Sequence, residues 1–152
     1  MIKINQKDLN ISEVKSPKKC DNEVSNSNDI AKNSNTTYQP IENRPEVVDA
    51  KVYKLKSAFV KNSVFVTLSY INDNNSVRPI EIFINSKDLT RAPEYVVLTR
   101  LISAIFRRSS DPMFILEELQ GIFDPNGGSF KEGKYYHSFY GEIADVIERF
   151  FF

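Results

Sequence analysis

The sequence predicts an α+β domain: a three-stranded antiparallel meander followed by three helices packed on one face. Three observations predict it. Val64 to Ile71, VFVTLSYI, is the chain's strongest strand signal, dense in β-branched and aromatic residues. From Arg78 to Asn85 apolar residues alternate, with Ile80, Ile82 and Ile84 on one face and Glu81, Phe83 and Asn85 on the other. That period of two then gives way to helical spacing at Val97, Leu98, Leu101, Ile102, Ile105 and Phe106, a wide apolar stripe able to face the strand. An antiparallel sheet followed by such helices makes a two-layer domain.

Residues 1–45 are rich in Asn, Ser, Lys and Asp, with only scattered apolar side chains. They bury too little to offset the entropy of ordering, so they are expected to form a disordered leader to a domain spanning 46–152. Ile2, Ile4, Leu9 and Ile11 leave open a short docking segment. The first strand is expected over Lys51 to Phe59, interrupted by Ser57, with Lys51, Lys54, Lys56 and Lys61 guarding a sheet edge and a phosphate or acidic-partner surface as the alternative. A turn at Lys61-Asn62 leads to the second strand, and Asn72 to Ser76 to the third.

Pro93 suits the start of the first helix, where a missing N–H costs nothing. Asp111-Pro112 predicts a second helix beginning at Pro112, with Ile115, Leu116, Leu119 and Ile122 on its apolar side and Gly121 at its end. This spacing puts Leu116 in the core. Asp124 to Gly128 is the densest turn signal, and KEGKYYHSFYGE leads to a last helix that buries Ile143, Ala144, Ile147, Phe150 and Phe151. Phe150 to Phe152 reads as a helix end folded onto the sheet, with an exposed docking patch as the alternative.

The chain's 152 residues carry 20 basic and 20 acidic side chains, which nearly cancel on either side of Pro45. This counts against direct nucleic-acid binding. No apolar run suggests a membrane span or secretory signal, and the one cysteine, Cys20, fits a reducing cytoplasmic compartment. With one histidine, His137, no two-histidine metal site or Cys–His pair assembles in the domain, and His137 is expected beside the last helix. Glu117, Glu118, Asp145 and Glu148 read as solvated helix faces. Asn126, Gly127 and Gly128 offer backbone N–H groups to an anion, although a plain turn explains them as well. Arg78, Asn85, Lys87, Arg91 and, as the alternative to a carboxylate pair, Arg100 are stronger candidates for contact with an anion or partner, and Phe151 and Phe152 for contact with a partner. Arg100 is expected to pair with a carboxylate.

The stretches RPIEIFIN (78–85) and LTRLIS (98–103), together with LEELQGIFDP (116–125), resemble the TSCPD domain, the C-terminal module of vitamin B12-dependent ribonucleotide reductases, which also occurs as a separate small protein. The resemblance covers roughly residues 50–150. It departs from the family in lacking the Thr-Ser-Cys-Pro-Asp motif, because residues 123–150 contain no cysteine. The resemblance implies an accessory or regulatory module of a vitamin B12-dependent ribonucleoside-diphosphate reductase, supporting deoxyribonucleotide supply for DNA synthesis. Catalysis and adenosylcobalamin would then belong to a large partner chain, with no cofactor bound by this one. A stand-alone regulatory module binding a nucleotide or small molecule is the alternative.

Overall fold

Val64, Val66 and Leu68 are fully buried along a central strand, and the rest of the domain is laid against them. A computed structural model describes residues 38–73 and 76–151. Most of the expected leader lies outside the described residues, as do its docking segment and Phe152. The central strand, β2 (Val64–Asp73), pairs antiparallel with β1 (Asp49–Leu55) and β3 (Ser76–Ser86) in the order β1-β2-β3. The meander is therefore as expected. Ile80, Ile82 and Ile84 are buried while Phe83 and Asn85 are exposed, which bears out the alternation. Glu81 is the exception and is buried by ion pairs described below. A register shift at Ser69/Tyr70 pairs Ser69 with Glu81 and Tyr70 with Pro79, leaving Ile80 without a ladder partner. Such a bulge is where a strand tolerates proline.

β1 is shorter than the expected 51–59. It ends at Leu55, and the Ser57 hydroxyl accepts a hydrogen bond from the Phe59 N–H at 3.1 Å, turning the chain out of extended geometry. Phe59 and Val60 still pack on the core, from the loop.

The first helix, α1 (Ala92–Arg108), buries Tyr95, Thr99, Ile102, Ser103 and Phe106. Two of the six residues of the expected stripe face elsewhere: Val97 is 59% and Leu101 61% exposed. The cause is a polar contact that apolar spacing does not register. Ser103 Oγ accepts a hydrogen bond from the Ile82 N–H at 3.1 Å and lies 3.4 Å from the Ile82 carbonyl oxygen, to which it donates. This ties α1 to the open edge of β3 and rotates Val97 and Leu101 to the side. Next comes α2 (Ile115–Gln120), which starts three residues later than expected. Asp111 accepts from the Met113 N–H at 3.1 Å, and Ile115 and Leu116 donate to Pro112 and Met113, so Pro112 lies in a tight turn before the helix. Leu119 and Ile115 are the buried residues of α2, whereas Leu116 is half-buried against the cluster. Leu119→Ala should therefore cost about 2–5 kcal/mol and Leu116→Ala roughly 1 kcal/mol, measured by urea denaturation.

A second small sheet was not anticipated. β4 (Ser129–Lys131) and β5 (Lys134–Tyr136) form a hairpin whose two-residue turn places Glu132 at φ 51° and Gly133 at φ 81°. The last helix, α3 (Phe139–Phe151), fully buries Phe139, Ile143, Ala144, Val146 and Ile147; it contacts β2, and α2 packs on α3. Phe150 and Phe151 are partly buried against the same core.

Residues 38–44 run as a strap across the end of α1. The Ile41 N–H donates to the Arg107 carbonyl and the Tyr38 N–H to the Ser110 carbonyl, both at 2.8 Å. The strap thus satisfies the Arg107 carbonyl, one that a helix C-terminus leaves open, and the Ser110 carbonyl just beyond the helix. Arg44 Nε donates to both Glu81 carboxylate oxygens, at 2.9 and 3.0 Å, and Arg107 reaches Glu81 from the helix at 3.2 Å. Residues 38–44, expected in the leader, are therefore held against α1 and β3. Composition hides this because the strap is held by backbone hydrogen bonds and ion pairs.

Candidate functional site

Two surface features stand out. The first is a groove of about 400 Å³ between β3 and α1, with Thr99 and Ser103 along its length and Phe83 standing 47% exposed at its side. Arg100, Arg107 and Arg108 line it from one helix, at spacings of seven and eight residues that return them to neighbouring positions two turns apart. Arg107 shares Glu81 with Arg44, and Glu81 is the one carboxylate in the lining. Arg100 has no carboxylate partner among the described residues, contrary to expectation, and neither has Arg108.

The second feature is a cluster of aromatic rings around the β4–β5 hairpin. The Phe123 and His137 rings lie 4.4 Å apart, those of Tyr135 and His137 5.0 Å, and those of Phe130 and Tyr135 4.9 Å. Phe130 is 76% and Phe123 68% exposed. His137 faces these rings while its carbonyl accepts from the Asp124 N–H. A polar cleft of about 230 Å³ lies on the other side of the hairpin, near the end of β1, but its charges pair across it as Lys131–Glu142 and Lys134–Asp145–Arg149. Among the described residues no group of three or more His, Cys, Asp or Glu side chains is arranged to hold a metal ion. No helix among them is long and apolar enough to cross a membrane.

The sequence model of the TSCPD-domain family matches residues 36–151. The chain belongs to the TSCPD-domain family. The match begins two residues before the strap and so includes it. The TSCPD domain is associated with ribonucleotide reductases. No curated protein matches the chain, and neither does any solved structure.

Within this TSCPD domain the residues singled out from sequence are scattered. Arg78 is buried, its guanidinium 4.9 Å from the Tyr38 ring centre and its Nη2 3.4 Å from the Arg107 carbonyl oxygen, with Nε unpartnered. Burial pulls its pKa below the ordinary value, while the negative charge of Asp73 opposes this. Arg78 thus serves the end of α1, where a cation is favoured. Asn85 sits exposed on the outer sheet face opposite Phe65, and Lys87 is exposed just after β3. The amides of Asn126 and Gly127 donate to Asp124, at 2.8 and 3.0 Å, so they do not converge on an open cradle. At Gly128 a Cβ would fall on the Tyr135 ring and hydroxyl, so that glycine permits close packing. Phe151 meets Phe106 edge-on at 6.4 Å, so its role lies in the core.

Arg91 forks onto Glu94 through two bonds of 3.0 and 2.7 Å, and its guanidinium lies 5.6 and 5.3 Å from the Tyr95 and Phe139 ring centres. The Tyr140 hydroxyl donates to Glu94 as well. Arg91, and then Tyr140, hold the Glu94 carboxyl below its ordinary 4.5 against opposing burial. A depressed carboxyl stabilises the fold fully above its unfolded pKa and loses that contribution as pH falls through the folded value. The difference in melting temperature between the native protein and Glu94→Gln should therefore be constant above about pH 5 and close as pH falls below 4.5. A difference that persists at low pH would remove Glu94 ionisation as its source.

Sequence reasoning missed both surface features. The arginine spacing at 100, 107 and 108 is readable in retrospect, but only β3 supplies the opposite wall of the groove. The aromatic cluster depends on the Glu132-Gly133 turn, which brings Phe130 opposite Tyr135.

Proposed function

We propose that this chain is an accessory module of a vitamin B12-dependent ribonucleoside-diphosphate reductase, docking on the large catalytic chain and supporting deoxyribonucleotide supply. The observation that carries the reading is the family match over residues 36–151. With a single cysteine, at position 20, the chain lacks the several thiols that radical-based ribonucleotide reduction and dithiol recycling require, so the catalytic groups and adenosylcobalamin belong to the partner. The exposed aromatic cluster of Phe123, Phe130, Tyr135 and His137 supports docking, because exposed aromatic residues are enriched at interfaces. It replaces the chain terminus as the surface to test, since Phe151 serves the core.

The test is affinity capture from the native host with tagged protein and a tagged Phe130→Ser/Tyr135→Ser variant. The native protein should retain a large chain with cobalamin-dependent ribonucleoside-diphosphate reductase activity, and the variant should lose it while melting normally. Capture without that activity would sink the reading. A second reading, a stand-alone regulatory module binding a small ligand, is favoured by the arginine-lined groove.

A further inference from the structure

We infer that the groove between β3 and α1 binds a nucleoside polyphosphate, its phosphates held by Arg100, Arg107 and Arg108 and its base stacked on Phe83. This deepens the ligand-binding reading and does not depend on a reductase partner. Arginines on a solvated helix face need no ligand, but these three line a walled groove. Glu81, the groove's one carboxylate, is shared by Arg44 and Arg107, so it leaves the Arg100 and Arg108 guanidiniums without a carboxylate among the described residues. The end of α1 would ordinarily repel an anion, yet the Ile41 N–H and Arg78 both meet the Arg107 carbonyl there.

Guanidinium forks match phosphate oxygens, and an exposed aromatic ring beside them offers a face to any base. The groove's volume of about 400 Å³ falls in the range of small-ligand sites. A nucleic-acid strand fits less well, because the chain as a whole is electrically neutral and provides no extended basic track. Ser103 and Thr99 already bond to backbone carbonyls, so the groove offers little to read one base from another. Little discrimination among bases is expected.

Calorimetric titration of the full chain with ATP, and separately with inorganic triphosphate, tests this. The native protein should bind ATP saturably with a Kd below about 1 mM, the weak end of specific recognition. Arg100→Glu/Arg108→Glu should weaken ATP and triphosphate together by about tenfold or more. Phe83→Ser should weaken ATP by about threefold or more and leave triphosphate unchanged. All three positions are exposed, and thermal melts would verify that each variant folds. Absence of saturable ATP binding by the folded native protein would overturn the inference, as would binding that the arginine variant leaves intact. Equal affinity for ATP and triphosphate with no effect of Phe83→Ser would overturn the nucleoside assignment. None of these outcomes bears on capture of the large chain.

Discussion

Phe106→Ala is expected to lower the unfolding free energy by about 3–5 kcal/mol, the range for removing a fully buried aromatic ring. Phe106 is completely inaccessible to solvent and lies on the buried side of α1, with Tyr95 and Ile102, in the same core as Ile82 and Ile147. The Phe151 ring meets it edge-on, so truncation removes both apolar burial and an aromatic pair. Because β3 and α3 converge on this ring, little can collapse into the space it leaves. Urea denaturation measures the effect, and a loss under about 1 kcal/mol would mean that α1 does not bury this side. Phe151→Ser should be partly redundant with it: the double variant should cost less than the two single losses added together.

Removing residues 1–45 is the second large effect. A chain starting at Glu46 loses two backbone hydrogen bonds to the end of α1, the Tyr38 ring over Arg78 and the Arg44 contact with Glu81. The hydrogen bonds contribute about 0.5–1.5 kcal/mol each and the ring over a shielded cation about 1 kcal/mol. The Arg44 pair adds little because Arg44 is largely exposed. A total loss of about 2–4 kcal/mol is expected, against little change for a chain starting at residue 36. Equal melting of the two truncated chains would show that the strap is dispensable.

The parts of the fold legible in sequence are those written in apolar periodicity. Ile80, Ile82 and Ile84 announce β3, and Ile143, Ala144 and Ile147 announce α3, because burial alone sets their positions. Polar contacts overrode the pattern elsewhere. Ser103 turned α1 so that Val97 and Leu101 face outward, Ser57 ended β1 early, and Asp111 held Pro112 in a turn. Glu81 and Arg78 are buried through partners 26 to 37 residues away in sequence, a separation that no local window spans. Of the residues nominated from sequence as anion contacts, Arg78 is buried, and Arg91 and the Asn126-Gly127 turn are bonded internally. Arg100, Arg107 and Arg108 gain meaning only once β3 provides a facing wall.

The Ser103 hydroxyl has a consequence for self-association. By bonding both the N–H and the carbonyl of Ile82, it holds α1 over the side of the main sheet on which β3 would otherwise present unpaired backbone groups. Among the described residues, only the β1 side of this sheet remains open, with Lys51 and Lys54 on the strand and Lys56 just after it. A sheet that extends by adding copies of itself needs two accepting sides, because each new member must offer the next a place to join. Through this sheet the chain has one. Edge pairing between molecules would stop at a two-fold pair of β1 strands, so filament growth by this route ends at a dimer.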